Sequence, residues 1–222
     1  IHGFCIGTEF EVEEQSGGSV TFLLTDNAER RAMFPFAFAF RVRYALDGNR
    51  IIKTCTVENR DEKLMHFGFG GHPGFNVPVG GEGGFTDWYL EFDNAAEPVR
   101  VDLDPSNYRL AGTTQPFPLR DGRILPLTHS MFDLDAVVLG GTDRAVTLKS
   151  EKSAHSVKVS FPGMGFVGFW HAPHTEAPYV CIEPWVSLPS HSAYMEDIEK
   201  QEHLIALESG GIYENVVTIE VM

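Results

Sequence analysis

Residues 34–59, FPFAFAFRVRYALDGNRIIKTCTVEN, constrain the fold more than any other stretch of the chain. Phe36, Phe38, Phe40, Val42, Tyr44 and Leu46 recur with period two, while Ala37, Ala39, Arg41 and Arg43 fill the alternate positions. Side chains of an extended chain point alternately to opposite faces, so this pattern predicts a strand with one buried face. Asp47-Gly48-Asn49 is turn chemistry, and Ile51 to Val57 reads as the returning strand of a hairpin.

Other strand-like runs are SVTFLL, DWYLEF, VRVDL, AVTLKS, SVKVSF, YVCIEPW and VVTIEV, separated by Gly80-Gly81, Gly83-Gly84, Asp104-Pro105 and Gly210-Gly211. Only YMEDIEKQEHL could pass for a helix, and its apolar periodicity is poor. Many short strands with Gly/Pro turns and almost no helix predict an all-β sandwich or barrel. With no repeat, low-complexity linker or shift in composition, residues 1–222 are expected to form a single domain.

A net charge of -14 argues against a phosphate-backbone partner, which needs a basic stripe. The scattered acids read as a solvated surface. No apolar run approaches the roughly 20 residues of a membrane helix. The expected partners are therefore neither nucleic acid nor membrane. Cys5, Cys55 and Cys181 are odd in number and widely spaced, which suggests neither a disulfide framework nor a structural zinc site. No charged segment with an apolar stretch follows Ile1, and residues preceding Ile1 are expected in the gene product. A cytoplasmic location is expected.

Gly163, Gly165 and Gly168 match G-x-G-x-x-G, but FWHAPH follows, where no helix can start well to hold a pyrophosphate, so the match reads as a glycine-rich strand connection. In GFGGHPGFNVP, His72 stands among glycines and prolines. Either the imidazole packs in a tight turn or the turn presents it. His66 and His72 with Glu183 would suit a cupin-like metal site, but the paired His-x-His of that architecture is missing, and His171-x-x-His174 straddles a proline. That reading ranks second, and no metal or cofactor is assigned. Glu183 ends an apolar run just before Pro184 and Trp185. Burial there would raise its pKa, and a Trp face beside a carboxylate suits sugars. One histidine and one carboxylate form an acid–base pair able to transfer protons without a cofactor.

With GGHPGFN followed far downstream by CIEPW, together with IHGF, the hairpin stretch, FDLDAVVL, GFW and LESGGIYENVVTIEV, the chain resembles the aldose 1-epimerase (galactose mutarotase) family over nearly its whole length, its short bacterial branch in particular. The resemblance implies a galactose mutarotase-like β-supersandwich, here lacking its N-terminal strands. It also implies interconversion of the α and β anomers of a free sugar. By the same resemblance Glu183 is the general base at the anomeric hydroxyl and His72 the acid at the ring oxygen, two roles a carboxylate and an imidazole would fill without large pKa shifts. His2 matches a second, substrate-contacting histidine. Asp135 matches an aspartate that hydrogen-bonds sugar hydroxyls, with Asp133 close enough to be the counterpart instead. Trp170 and Trp185, and Phe75 if it is not simply core, could supply apolar faces. Asn76 joins the candidate binding residues, although a turn-holding role suits it better.

Departures from the family pattern accompany the match. The family's sugar-contacting arginine would lie before Ile1, Cys5-Ile6 replaces a small and then a basic residue, and EPWVSLPS replaces EPWTGLPD. They motivate a competing reading, a non-catalytic carbohydrate-binding or sensing domain. A phosphosugar epimerase would need a basic cluster that the 17 Lys and Arg do not reveal. The expected partner is a small sugar, and the expected assembly a monomer or homodimer.

Overall fold

The computed structural model describes residues 2–222. The chain divides into two compact units, one running up to Phe67 and resuming over Ile205–Thr218, the other comprising Gly68–Leu204 and Ile219–Met222.

The first unit opens with β1 (Glu11–Gln15), β2 (Ser19–Thr25), helix α1 (Ala28–Met33), β3 (Phe38–Asp47), β4 (Arg50–Asn59) and β5 (Met65–Phe67). The strand-rich middle of the chain forms β6 (Gly74–Asn76), β7 (Tyr89–Phe92), β8 (Val99–Leu103), β9 (Leu110–Pro116), β10 (Ile124–Pro126), β11 (Val137–Gly140), β12 (Ala145–Lys149), β13 (Val157–Ser160), β14 (Phe166–Trp170) and β15 (Tyr179–Trp185). The chain ends with β16 (Ile205–Leu207) and β17 (Ile212–Val221).

In the first unit the strands run in the order β1, β2, β3, β4, β17, and β5 pairs with β16. The predicted hairpin is β3–β4, antiparallel from Phe38↔Asn59 to Asp47↔Arg50. Gly48 takes the left-handed conformation (φ 59°) that its two-residue turn requires. The single buried face is not found. Phe38 and Ala39, on opposite faces, are both buried, whereas Tyr44 and Leu46 near the hairpin tip are exposed. Period two fixes that a segment is a strand; how much of each face is covered depends on what packs against it.

Helix α1 was not foreseen from the sequence. Its signal is the cap: the Asn27 side chain accepts from the Arg30 amide at 2.8 Å, satisfying one of the free N–H groups of a six-residue helix that buries nothing. The helix-like YMEDIEKQEHL segment makes only turns, with Lys200 and Gln201 amides both bonded to the Asp197 carbonyl. Met195 is 97% exposed there, so the segment has no apolar stripe to bury.

Fully buried Asn59 ties the first unit together. Its amide donates to the carbonyls of Lys63 (2.8 Å) and Leu207 (2.7 Å), and its oxygen accepts from the Asp61 amide (2.9 Å). Asn59→Ala leaves the Lys63 and Leu207 carbonyls without this donor and the Asp61 amide without its acceptor, in part-buried bonds, and is expected to destabilise the protein by about 1–3 kcal/mol, read as a lower urea midpoint with unchanged slope.

The second unit pairs β13, β12, β7 and β10 in one sheet and β6, β15, β14, β11, β8 and β9 in another, with neighbouring strands antiparallel. Phe92 of the first and Phe169 of the second meet edge to face at 6.2 Å, and both are buried. The parity of β14 and β15 separates core from site. Val167, Phe169, Val180 and Ile182 fill one side, while Phe166, Gly168, Trp170, Cys181, Glu183 and Trp185 occupy the other. The glycine-rich match around Gly163 is a turn leading into β14, a strand and not a helix.

Candidate active site

The site is written in the strand register. Gly74 pairs with Cys181, and Gly70 forms an isolated antiparallel bridge to Trp185, so His72 between them lies directly opposite Glu183. The intervening backbone keeps the ladder despite the prolines: Gly71 N–H donates to the Pro184 carbonyl (2.9 Å) and Ile182 N–H to the Pro73 carbonyl (3.0 Å). A cross-strand pair on one face brings side chains into contact. His72 Nε2 accordingly lies 3.2 Å from Glu183 Oε1, with the imidazole 40% exposed and the carboxylate 5%. On the other side of Glu183, Gly168 of β14 supplies no side chain, and a Cβ there would stand 3.2 Å from the Trp185 ring.

The glycines before His72 let this segment lie flat across β15. A Cβ on Gly70 would fall 2.8 Å from Trp185 Cδ1, and one on Gly68 would fall 2.6 Å from Ser187 Oγ, which accepts the Phe69 amide at 3.1 Å. Gly70→Ala is therefore expected to displace the Trp185 ring. If Trp185 carries a sugar face, KM should rise about tenfold with a smaller change in kcat, measured by steady-state kinetics.

Burial pushes the Glu183 carboxyl up to about 8; the nearby Asp135 charge adds to the shift, and a hydrogen bond from the Trp185 side chain opposes it. The expectation of a pair without large shifts fails here, because the carboxylate is almost entirely buried, its side chain 5% exposed. Oε1 is fully buried with no hydrogen-bond donor aligned on it, so the His72 approach is a charge contact rather than a directed bond. Trp170 extends this floor: its indole donates to Asp135 Oδ1 (2.8 Å) and its ring meets the His72 ring edge to face at 5.8 Å. Asp135 holds a left-handed backbone (φ 80°). Asp133, the other aspartate of FDLDAVVL, turns instead to exposed His174 (3.4 Å).

The second unit thus gathers His72, Glu183, Asp135, Trp170 and Trp185. Asn76 shares the His72 face but sits exposed in β6 opposite Tyr179, in a ladder rather than the expected turn. Phe75 points to the opposite face and is unavailable as a platform beside His72. His2 belongs to the first unit, exposed and with φ 65°. His171 is a core residue: fully buried, hydrogen-bonded to His129 Nδ1 (3.1 Å) and packed on Phe132. His66 lies in β5 of the first unit. The group among the described residues that could hold a metal is instead His72, Cys181 and Glu183, whose ligand atoms all lie within 4.8 Å of one another. Cys181 was overlooked in the sequence, although its spacing from Glu183, two residues along one strand, places both on the same face. Burial, and next the Glu183 charge, push its thiol up to about 12.

Solved structures with this arrangement of strands define the class as all-β and galactose mutarotase-like. A galactose mutarotase related enzyme from Lactobacillus acidophilus superposes with a TM-score of 0.92 at 31% identity, over 100% of this chain and 73% of that one. A galactose mutarotase-like protein from Lactobacillus casei gives 0.89 at 28% identity, over 100% and 76%. The chain belongs to the aldose 1-epimerase family, whose sequence model matches residues 1–220. The plasmid-encoded LacX protein of Lactococcus lactis subsp. lactis is 33% identical over 194 residues, 84% of this chain. The chain spans 63% of the length of that curated relative. Among the described residues no helix is long and apolar enough to cross a membrane.

Proposed function

We propose that the protein interconverts the α and β anomers of a free hexose by acid–base ring opening and closure. The observation that carries this reading is the 3.2 Å approach of His72 Nε2 to Glu183 Oε1 on a face flanked by Trp170 and Trp185. The anomeric hydroxyl and the ring oxygen of a pyranose are bonded to one carbon, so the groups that serve them must be neighbours; an imidazole and a carboxylate on opposite sides of the ring would not fit as well. Ionised Glu183 takes the proton of the anomeric hydroxyl while protonated His72 delivers one to the ring oxygen. The bond from that oxygen to the anomeric carbon breaks, and the aldehyde forms. Rotation about the adjacent carbon–carbon bond and closure with the roles reversed yield the other anomer. Trp170 and Trp185 offer apolar faces to the sugar, and Asp135 a hydroxyl acceptor held by the Trp170 indole.

A carboxyl raised to about 8 is a stronger base than an ordinary one, closer to the pH at which it works. The cost is occupancy, since roughly one carboxyl in ten is ionised at pH 7. Ser187, one of the residues that departs from the family pattern, holds the His72 segment through the Phe69 amide, which is compatible with a working site.

Polarimetry of freshly dissolved α-galactose and α-glucose, then of a wider panel of free aldoses, tests the reading. Relaxation faster than the uncatalysed control is expected for at least one sugar. Calorimetric sugar binding with no acceleration across the panel would instead make the protein a non-catalytic carbohydrate-binding domain.

A further inference from the structure

We propose that His72, Cys181 and Glu183 form a second-purpose site on the same sheet face, a three-ligand site for a zinc-class divalent cation that closes the acid–base pair to sugar. Nε2, Sγ and a carboxylate oxygen lie within 4.8 Å of one another, and the Nε2–Oε1 edge is already 3.2 Å. Ligands held at about 2.0–2.3 Å around tetrahedral zinc are themselves separated by roughly 3.3–3.8 Å, so small side-chain rotations complete the cage.

Independent evidence comes from Glu183. Its side chain is only 5% exposed, yet Oε1 accepts no hydrogen bond. A buried carboxylate oxygen without a donor is costly, and a cation satisfies it. The strand register explains why the third ligand is there. Cys181 and Glu183 are alternate residues of β15, and Gly74 opposite Cys181 carries no side chain to cover the sulfur. A Cβ at Gly74 would lie 3.5 Å from Sγ.

The donor set selects the cation. Magnesium and calcium prefer oxygen ligands, whereas one thiolate, one imidazole and one carboxylate suit zinc, cobalt or cadmium. Three protein ligands leave a fourth position open to water, reached from the solvent side past exposed His72. On binding, the metal displaces the Cys181 thiol proton to solvent and takes up the imidazole nitrogen and carboxylate oxygen used for proton transfer. The cation is therefore a reversible inhibitor, an arm that rests on the proposed sugar chemistry; the binding itself does not.

The test uses the full chain stripped of metal with chelator. Titration with cobalt(II) is expected to give a near-ultraviolet thiolate-to-cobalt charge-transfer band at one equivalent, bleached by zinc. Cys181→Ser and Cys181→Ala should both abolish the band and weaken zinc binding at least about tenfold, with near-ultraviolet circular dichroism reporting whether they fold. In polarimetry zinc should slow the wild type, chelator should restore it, and both variants should keep the metal-free rate. Absence of the band, or a band that survives in the Cys181 variants and disappears in Cys5→Ser, overturns the proposal. A band of the expected behaviour in a protein that accelerates no sugar keeps the metal site and rejects the mutarotase reading; acceleration without the band does the reverse.

Discussion

Replacing Glu183 with glutamine is expected to slow polarimetric relaxation of the preferred sugar by about 10²- to 10⁴-fold, the range for losing a positioned acid or base. Glutamine keeps the shape and the pairing with Gly168 and removes only the ability to take a proton. His72→Gln should cost a comparable factor. The double variant should be little slower than either single one, because the two groups act as a unit on one proton relay. Sugar binding, followed calorimetrically, should change much less than the rate in all three. If Glu183→Gln retains the wild-type rate, the assignment of the carboxylate is wrong, however close it lies to His72.

The second large effect concerns stability and pH. The Glu183 carboxyl is held near 8 in the folded protein against about 4.5 unfolded, so the native state binds a proton that the unfolded chain releases across that window. Stability contributed by this site is then fully present below about 4.5 and lost as pH rises through about 8. The shift corresponds to a few kcal/mol, about 5 at most. In chelator-treated protein, Glu183→Gln is expected to match the wild type near pH 5 and to exceed it by a few kcal/mol at pH 9, measured by urea unfolding at both values. The same shift should place the acid limb of kcat/KM for the wild type near pH 8 rather than near 4.5. Equal stability of the two proteins at pH 9 would show that the carboxylate is better solvated than its burial implies.

Much of this was legible in the sequence, for identifiable reasons. The runs SVTFLL, VRVDL, AVTLKS and YVCIEPW became β2, β8, β12 and β15 because alternation and β-branched residues report directly on an extended backbone. Strand β9 escaped notice because LAGTTQP is nearly all exposed and has no apolar face to alternate. Helix α1 escaped because its signal is one capping side chain rather than a stripe. At the site, residue types named His72 and Glu183 as partners, but their contact is a matter of register, and proline-rich GGHPGFNVP does not look like a strand. Cys181 was hidden for a related reason: an apolar-looking cysteine reads as core until the face it shares with Glu183 is known. The glutamate's shifted affinity for protons depends on how deeply the folded sheet buries it and on the nearby Asp135 charge, which single-residue patterns do not encode.

Because the imidazole is delivered by backbone pairing and not by a freestanding loop, the chemistry is tied to chain length between Gly70 and Gly74. Inserting or deleting one residue in that span would leave Gly71 or Pro73 facing the carboxylate and send the ring into the interior. A point substitution beside the pair leaves that register as it is, whereas a single-residue indel breaks it for every side chain in the span.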